Sequence, residues 1–398
     1  MIKKVLTIIL ISTLFFGCQT DSSKNDTKTK KKLKTTSELT LGIKKNIKST
    51  ILNEERPLII SLPKGYDASK SSYPVLYLTD GLQNIWHVIG TLEVLTRTGN
   101  VPPMIVVGIK STNRLRDFTL TASKKHPGSG GGKKFLAFIE KELILYVESN
   151  YRTNSFRVLE GHSLGGLFAA STLIEKPELF QGFIIMSPAL WWNGEELTKK
   201  AKTFFKSNPN LGKTLFFGIG KEESSKEFGM RKELTNFIDV IKANKPQKLN
   251  FAHKEFDGEG HMSSPLLSNY YGLKTIFADL KYTDEFKANY SDAEFLKKEK
   301  EIINKYGESA KRTGESYYQL GAAIYKKNLS GAITVFKRSV EVYPHDINLI
   351  TTLAELYEKN KDIANAINTY NYAIKVSKKY NFGSEKKFQK EIDRLKSN

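Results

Sequence analysis

The run Gly161-His162-Ser163-Leu164-Gly165-Gly166 constrains this chain more than any other stretch. It comes directly after the apolar run Phe156–Leu159 and opens the helical pattern of residues 164–175, which stops ahead of Pro177. A G-x-S-x-G between a strand and a helix is the context that a nucleophile elbow requires. Side chains flanking the serine would collide with the neighbouring strand and helix, so glycine is needed there. The serine itself is held in a strained conformation with Oγ presented outward. The helix start beneath it points free N–H groups at any oxyanion formed at that place.

The pattern around this turn predicts an α/β fold. Short apolar runs rich in β-formers recur at residues 56–62, 73–79, 103–109, 156–159, 182–186, 214–219 and 249–256. Helical spacing intervenes, as in Phe135, Phe138, Ile139, Glu142, Leu143 and Tyr146. Strand alternating with helix implies crossover units and a mostly parallel sheet covered on both faces. Such sheets carry their sites beyond the carboxyl ends of the strands. The 23 Phe, 18 Tyr and 3 Trp supply ample core material.

A serine alone is a weak nucleophile and needs a base. In this fold class the order is serine, acid, histidine, with the histidine after the last strand. His261 lies in the loop Asp257–Ser264 that follows the run 249–256, and it is the expected base. His253, inside that run, is expected to be structural, and His126 and His345 read as surface residues. The acid should follow the run 214–219, where Gly220-Lys221-Glu222-Glu223 stands. Glu223 is preferred because the loop must extend before it turns back; Glu222 is the alternative and Asp257 a third option. Two backbone donors are needed for the oxyanion. Leu164 N–H is one by construction, and Leu82 N–H, in the loop after the run 73–79, is the expected second.

Four ordered segments carry a family resemblance: Tyr73-Pro74-Val75-Leu76-Tyr77-Leu78-Thr79-Asp80-Gly81, Arg114-x-Arg116-Asp117-Phe118-Thr119, Gly161–Gly166, and Ser187-Pro188-Ala189-Leu190-Trp191-Trp192. Together they resemble the "Putative esterase" family, related to esterase D, the enterochelin esterases, the feruloyl esterases and the mycolyltransferases of the antigen 85 type. The resemblance covers about residues 38–280. It implies an α/β-hydrolase fold and serine-dependent cleavage of carboxylic esters without a cofactor or metal. It also supports Ser163, His261, a carboxylate at 222–223 and donors at Leu82 and Leu164. Glu160 departs from the family pattern, which more often has an apolar or small residue there, and is expected to pair with a basic group. Leu120 replaces a common proline. The long connection Ser111–Lys134, with its glycine run, is expected to wall or cover the pocket. Arg114 and Arg116 are candidates to meet an anionic substrate, with an Arg116–Asp117 ion network as the other reading. Trp191 and Trp192 are either pocket lining or core.

The ends of the chain differ from its middle. Lys3 and Lys4, twelve mostly apolar residues and Gly17-Cys18 give the order of an export signal. Leu14–Cys18 resembles a lipobox, so 1–17 is expected to be a lipoprotein signal, with the sole cysteine lipidated and 18–37 a polar tether. The chain is then held to the bacterial envelope by its lipid alone. Of the net charge of +20, six sit in these first residues, and the remaining +14 is dispersed without a nucleic-acid signature. One cysteine and six scattered histidines offer no multi-cysteine metal site or HExxH spacing. An esterase domain is expected over 38–282. From 283 to 398 the spacing becomes helical. Ala332 and Ala366 are 34 residues apart, as are Phe336 and Tyr370, and Tyr317-x-x-Leu320-Gly321 precedes them. That pattern resembles tetratricopeptide repeats, and such an array either binds a protein partner or caps the esterase. The expected function is an envelope-anchored serine esterase acting on a small-molecule ester, a siderophore or carbohydrate ester among them. The rival expectation is a non-catalytic scaffold working through its helical repeats.

Overall fold

A computed structural model describes residues 40–222 and 229–397; the expected signal segment, Cys18, the tether and Glu223 lie outside the described residues. Residues 41–398 form one compact unit. Its centre is an eight-stranded sheet of β1 (Ile43–Ser49), β2 (Glu54–Ser61), β3 (Tyr73–Leu78), β4 (Ile105–Ile109), β5 (Thr153–His162), β6 (Gly182–Met186), β7 (Thr214–Gly220) and β8 (Asn250–Phe256). The spatial order is β1-β2-β4-β3-β5-β6-β7-β8. The pairs β1–β2 and β2–β4 are antiparallel and every later pair is parallel, as expected of an α/β-hydrolase sheet.

The apolar runs become strands because both faces of the sheet are covered. All six residues of β3 are buried, and alternate side chains go to opposite sides. Tyr73, Val75 and Tyr77 join one core, while Leu76 and Leu78 join the other. The first core is closed by α3 (Gly132–Phe138), α4 (Ile144–Asn150), α5 (Leu164–Glu175), α6 (Trp192–Ser207) and α7 (Arg231–Asn244), after the short α2 (Arg114–Phe118). A single π-helical turn joins α3 to α4. The second core is closed by α1 (Gly81–Arg97) and α8 (Ser264–Ile276), which pack on each other. β1 was not among the expected strands. Its sequence IKKNIKS is mostly exposed and lysine-rich, as suits the edge of a sheet rather than its centre.

After the short α9 (Asp284–Ala288), α10 (Asp292–Tyr306) leads into α11 (Gly314–Tyr325), α12 (Leu329–Val342), α13 (Ile347–Lys359), α14 (Ile363–Tyr380) and α15 (Glu385–Ser397). Local sequence starts these helices. Thr283, Ser291, Thr313, Asn328, Asp346 and Asp362 each accept a hydrogen bond from a backbone N–H in the first turn. From α11 to α15 each helix packs on the next. The four residues at the 34-residue spacing, Ala332, Phe336, Ala366 and Tyr370, are all buried between them. Gly321 allows α11 and α12 to approach, because a Cβ there would strike the Phe336 ring.

The helical region is joined to the sheet by apolar packing. Ile302, Tyr306 and Ala310 belong to the second core. The Tyr306 ring meets Phe156 edge-on at 4.8 Å, and Ser309 Oγ donates to the Ser72 carbonyl at 3.1 Å. Ser72 and Phe156 stand where β3 and β5 begin, so this junction is at the end of the sheet opposite the carboxyl ends.

Within the region, buried Glu299 accepts from Tyr282 at 2.9 Å and from Tyr317 at 2.5 Å, and it pairs with Arg312 and Arg338. The Arg312 side chain is only 2 % exposed. Glu299→Ala leaves that guanidinium buried without its partner, and the expected loss is about 3–5 kcal/mol. A denaturant titration reads this as a lower midpoint, and an unchanged midpoint would refute the cluster as drawn.

Candidate active site

Ser163 sits between β5 and α5 with φ 60° and ψ −118°. A non-glycine residue there is strained, and the surroundings must hold it. Ser163 N–H donates to the Met186 carbonyl at 3.0 Å, and its own carbonyl accepts from Leu167 N–H at 2.9 Å and Ala189 N–H at 3.1 Å. The flanking glycines are required by close approach. A Cβ on Gly161 would run into the Gly165 carbonyl, and a Cβ on Gly165 would run into Thr79 Oγ1. The latter contact brings the loop after β3 against the elbow.

His261 follows β8, at the same end of the sheet. Its Nδ1 lies 2.8 Å from Glu222 Oε2. A carboxylate only accepts, so Nδ1 carries the proton and Nε2 is left as the basic nitrogen. The His261 ring also packs against the His162 ring, with centroids 4.4 Å apart. Burial pushes His162 down to about 3, so that neighbour stays neutral. Ser163 Oγ holds no hydrogen bond among the described residues, to His261 or otherwise. Contacts of this kind often tighten only when substrate is present.

Glu222, the alternative, is therefore the carboxylate that meets the histidine. The preference for Glu223 assumed that the chain runs on after β7, but it turns at once. Lys221 N–H donates to the Glu259 carbonyl at 2.6 Å and Glu222 N–H donates to the Gly220 carbonyl at 2.9 Å. That turn aims Glu222 inward. Burial raises its carboxyl, but hydrogen bonds from His261 and Ser187 outweigh this, and the net shift is downward. Asp257 is no candidate: it pairs with Arg231 at 2.9 Å and is largely exposed. His253 stays on β8, an exposed position, with its side chain 24 % exposed and 3.9 Å from Glu255.

Ser187 escaped the sequence reading as a site residue. Its Oγ donates to the second Glu222 oxygen and lies 3.2 Å from Ser264 Oγ. It has φ 40° and is fully buried just after β6. A Ser-Pro at the end of an apolar strand was the available signal.

Leu82 and Leu164 each lie in the first turn of a helix, where an N–H has no intrahelical acceptor. Neither N–H donates to another backbone or side-chain group among the described residues. Asp80, in the left-handed conformation at φ 53°, turns the chain into α1. It accepts from Ser111 Oγ and Arg114 Nε, both at 2.8 Å. Arg114 is thus pinned beside the loop that bears Leu82, and its side chain remains 41 % exposed.

Arg116 is placed otherwise. It donates to Asp117 at 2.7 Å and to Glu54 at 2.9 and 3.1 Å, and Arg56 shares both acids. This ion network, rather than a substrate, occupies the guanidinium. Trp192 is buried, donates to the Thr121 carbonyl at 3.2 Å and stacks on His126 at 5.1 Å. His126 is therefore not the bare surface residue expected. Trp191 is half-buried, 5.7 Å from Trp192. The Ser111–Lys134 connection wraps these rings: Asn193 Nδ2 donates to Thr121 Oγ1 and to the Ala122 carbonyl.

Glu160 also departs from expectation. It is fully buried, with no basic partner among the described residues; Asn269 Nδ2 donates to its Oε2 at 2.7 Å. Burial pushes its carboxyl up to about 8. Among the described residues no group of three or more His, Cys, Asp or Glu is placed to hold a metal ion.

Residues 49–264 match the family described as "Putative esterase". The chain belongs to this family. It is an ester hydrolase. It is 32 % identical over 241 residues to the ferri-bacillibactin esterase BesA of Bacillus subtilis, covering 53 % of this chain and 81 % of that protein. It is 31 % identical over 163 residues to the siderophore enterobactin esterase of Emericella nidulans, covering 35 % of this chain and 53 % of that one. Among solved structures, an IroE-like serine hydrolase from Shewanella oneidensis superposes with a TM-score of 0.61 at 27 % identity, covering 76 % of this chain and 99 % of that one. An uncharacterised protein from Capnocytophaga ochracea shares the fold, with a TM-score of 0.66 at 18 % identity over 89 % of this chain and 99 % of its own.

The elbow of this esterase makes a steric prediction. Gly161→Ala places a methyl against the Gly165 carbonyl, which is backbone and cannot rotate away. The expected destabilisation is about 1–3 kcal/mol. A urea midpoint equal to the parent's would contradict the close approach.

Proposed function

We propose that this protein is a serine-dependent carboxylic ester hydrolase whose nucleophile is Ser163, and that it acts on the ester bonds of a siderophore. The observation that carries this reading is the 2.8 Å contact between His261 Nδ1 and the buried Glu222 carboxylate, beside the strained elbow. In the proposed reaction Ser163 Oγ attacks the ester carbonyl while His261 Nε2 takes its proton. Glu222 keeps the imidazole in one tautomer and stabilises the cation that forms. The oxyanion of the tetrahedral intermediate rests on Leu82 and Leu164 N–H, donors worth roughly a hundredfold or more each in rate. His261 then hands the proton to the departing alcohol. The acyl-enzyme is cleared by water, which His261 deprotonates in turn.

The substrate class is supported by relatives whose names specify ferri-bacillibactin and enterobactin. The serine mechanism is supported by likeness to a structure described as a serine hydrolase. A carbohydrate ester is the competing substrate, and Arg114 stands ready for an anionic group in either case. The order of charge, apolar run and Gly17-Cys18 supports lipid anchoring to the bacterial envelope. The spacing of the buried residues in α11–α14 supports two tetratricopeptide-like units. Their junction at the far end of the sheet leaves the catalytic end open, so a protein partner held by the array would not obstruct the ester.

Ser163→Ala is expected to abolish hydrolysis across a panel of siderophore, feruloyl and simple acyl esters. Glu222→Gln should lower kcat by roughly 100- to 10,000-fold with little change in KM, because the imidazole loses its tautomer and its counter-charge. Glu223→Gln should stay within a few-fold of the parent. Steady-state kinetics on the three variants decides the matter. Undiminished turnover by Ser163→Ala rejects the nucleophile, and the reverse ranking of the glutamates rejects Glu222.

A further inference from the structure

The most deeply buried ionisable group near the elbow is one that this mechanism does not use. Glu160 lies three residues before Ser163 on β5, fully buried, and one of its oxygens accepts from Asn269 Nδ2 at 2.7 Å. Its other oxygen, Oε1, has no partner among the described residues, and neither does Asn269 Oδ1. Two groups joined by one hydrogen bond are thus each left with one orphan. Both orphans are acceptors as long as Glu160 is a carboxylate, and a buried unpaired acceptor is costly. A proton on Oε1 resolves both at once. Oε1–H then donates to Asn269 Oδ1 while Asn269 Nδ2–H donates to Oε2, which closes a ring.

The surroundings favour the neutral form. The register neighbours of Glu160 on β3 and β6 are Leu78 and Ile184, both apolar. On β5 itself the next residue of the same face is His162, which burial holds down to about 3. From α8 come Asn269 and Ser268, both uncharged. On α1, which packs on α8, Asn84 is buried and half-buried His87 is held down to about 4 by burial. None of these is a cation at neutral pH, and among the described residues no charged group offsets the burial that raises Glu160.

The pair also has a mechanical position. Asn269 is on α8, and α8 starts three residues after His261. Ser263 and Ser264 N–H both return to the Gly260 carbonyl, so the histidine loop and the helix start are continuous. Among the described residues, Asn269 to Glu160 is the one hydrogen bond between α8 and the elbow strand. Apart from the Ser264–Ser187 hydroxyl contact at its start, α8 otherwise meets the sheet by packing, as with Ser268 on Gly218 and Gly272 on Ile184. Resting on the Ser163–His261 reading above, we propose that Glu160 is a neutral carboxylic acid closing a cyclic pair with the Asn269 carboxamide, and that this pair is a positioning latch setting His261 relative to Ser163.

Infrared difference spectra of the full chain, Glu160→Gln subtracted from the parent, test the proton directly. At neutral pH the parent should show a protonated carboxylic acid C=O band, shifted in D2O and missing from the variant. The band should fade as pH rises past about 8. A parent without that band overturns the pair. Stability gives a second reading. The folded acid keeps a proton that the unfolded chain releases above its ordinary value of 4.5, so parent stability falls from there to about 8 and then levels. Glu160→Gln, whose amide can make both hydrogen bonds, should abolish that fall, and an identical fall in the variant counts against the pair.

Turnover tests the latch. Glu160→Gln should retain kcat within about twofold, whereas Glu160→Leu and Asn269→Leu should lose roughly tenfold or more in kcat at unchanged KM. Parental kcat in both leucine variants overturns positioning even if the acid band is present. If Ser163→Ala stays active, the catalytic reading has failed instead, and the infrared result still reports on the pair. Should the leucine variants not fold, Asn269→Ser, which opens the ring with a smaller change, is read in their place, and parental kcat in it overturns positioning.

Discussion

One buried carboxylate ties together the carboxyl ends of three neighbouring strands. Glu222, just past β7, takes a hydrogen bond from Ser187 after β6 and another from His261 after β8. Ser264, at the start of α8, joins through Ser187. Three loops that would otherwise wander are fixed by a single group. The downward shift of its carboxyl shows which way the balance falls: hydrogen bonding to the charged form exceeds the penalty of burial. The same interaction holds the imidazole in one tautomer and one orientation, so structural and chemical roles coincide in it.

The arrangement separates chemistry from the rest of the chain. Elbow, histidine loop and the Leu82 turn all stand at the carboxyl ends of parallel strands, where helix starts supply unsatisfied N–H groups. The helical region is attached at the other end through Tyr306, Ser309 and the strand starts near Ser72 and Phe156. Its own integrity rests on a different buried acid, Glu299, with two arginines and two tyrosines.

Much of this was legible in the sequence, and the failures have physical causes. The elbow could be read because three glycines and a strand-to-helix change are demanded together by one turn. The parallel strands could be read because burial on both faces leaves unbroken apolar runs; Gly182–Met186 emerges with the expected ends. β1 could not, because an edge strand dominated by lysines has neither an apolar run nor alternation. The choice between Glu222 and Glu223 turned on a loop conformation that adjacent identical residues do not encode. Arg114 and Arg116 look alike in the sequence, yet one faces Asp80 and the other enters a network with Glu54, an acid some sixty residues earlier. Glu160 was expected to find a base; it found an amide, because the groups packed around it are apolar or uncharged and no cation among the described residues pairs with it.

The proposed mechanism depends on the reactivity of one hydroxyl. A fluorophosphonate probe followed by mass spectrometry of the digested protein measures it without assuming a substrate. A Ser163 nucleophile activated by His261 gives one stoichiometric adduct on the peptide containing Ser163, with labelling strongly slowed in His261→Ala. No adduct, or an adduct on another residue, would contradict it.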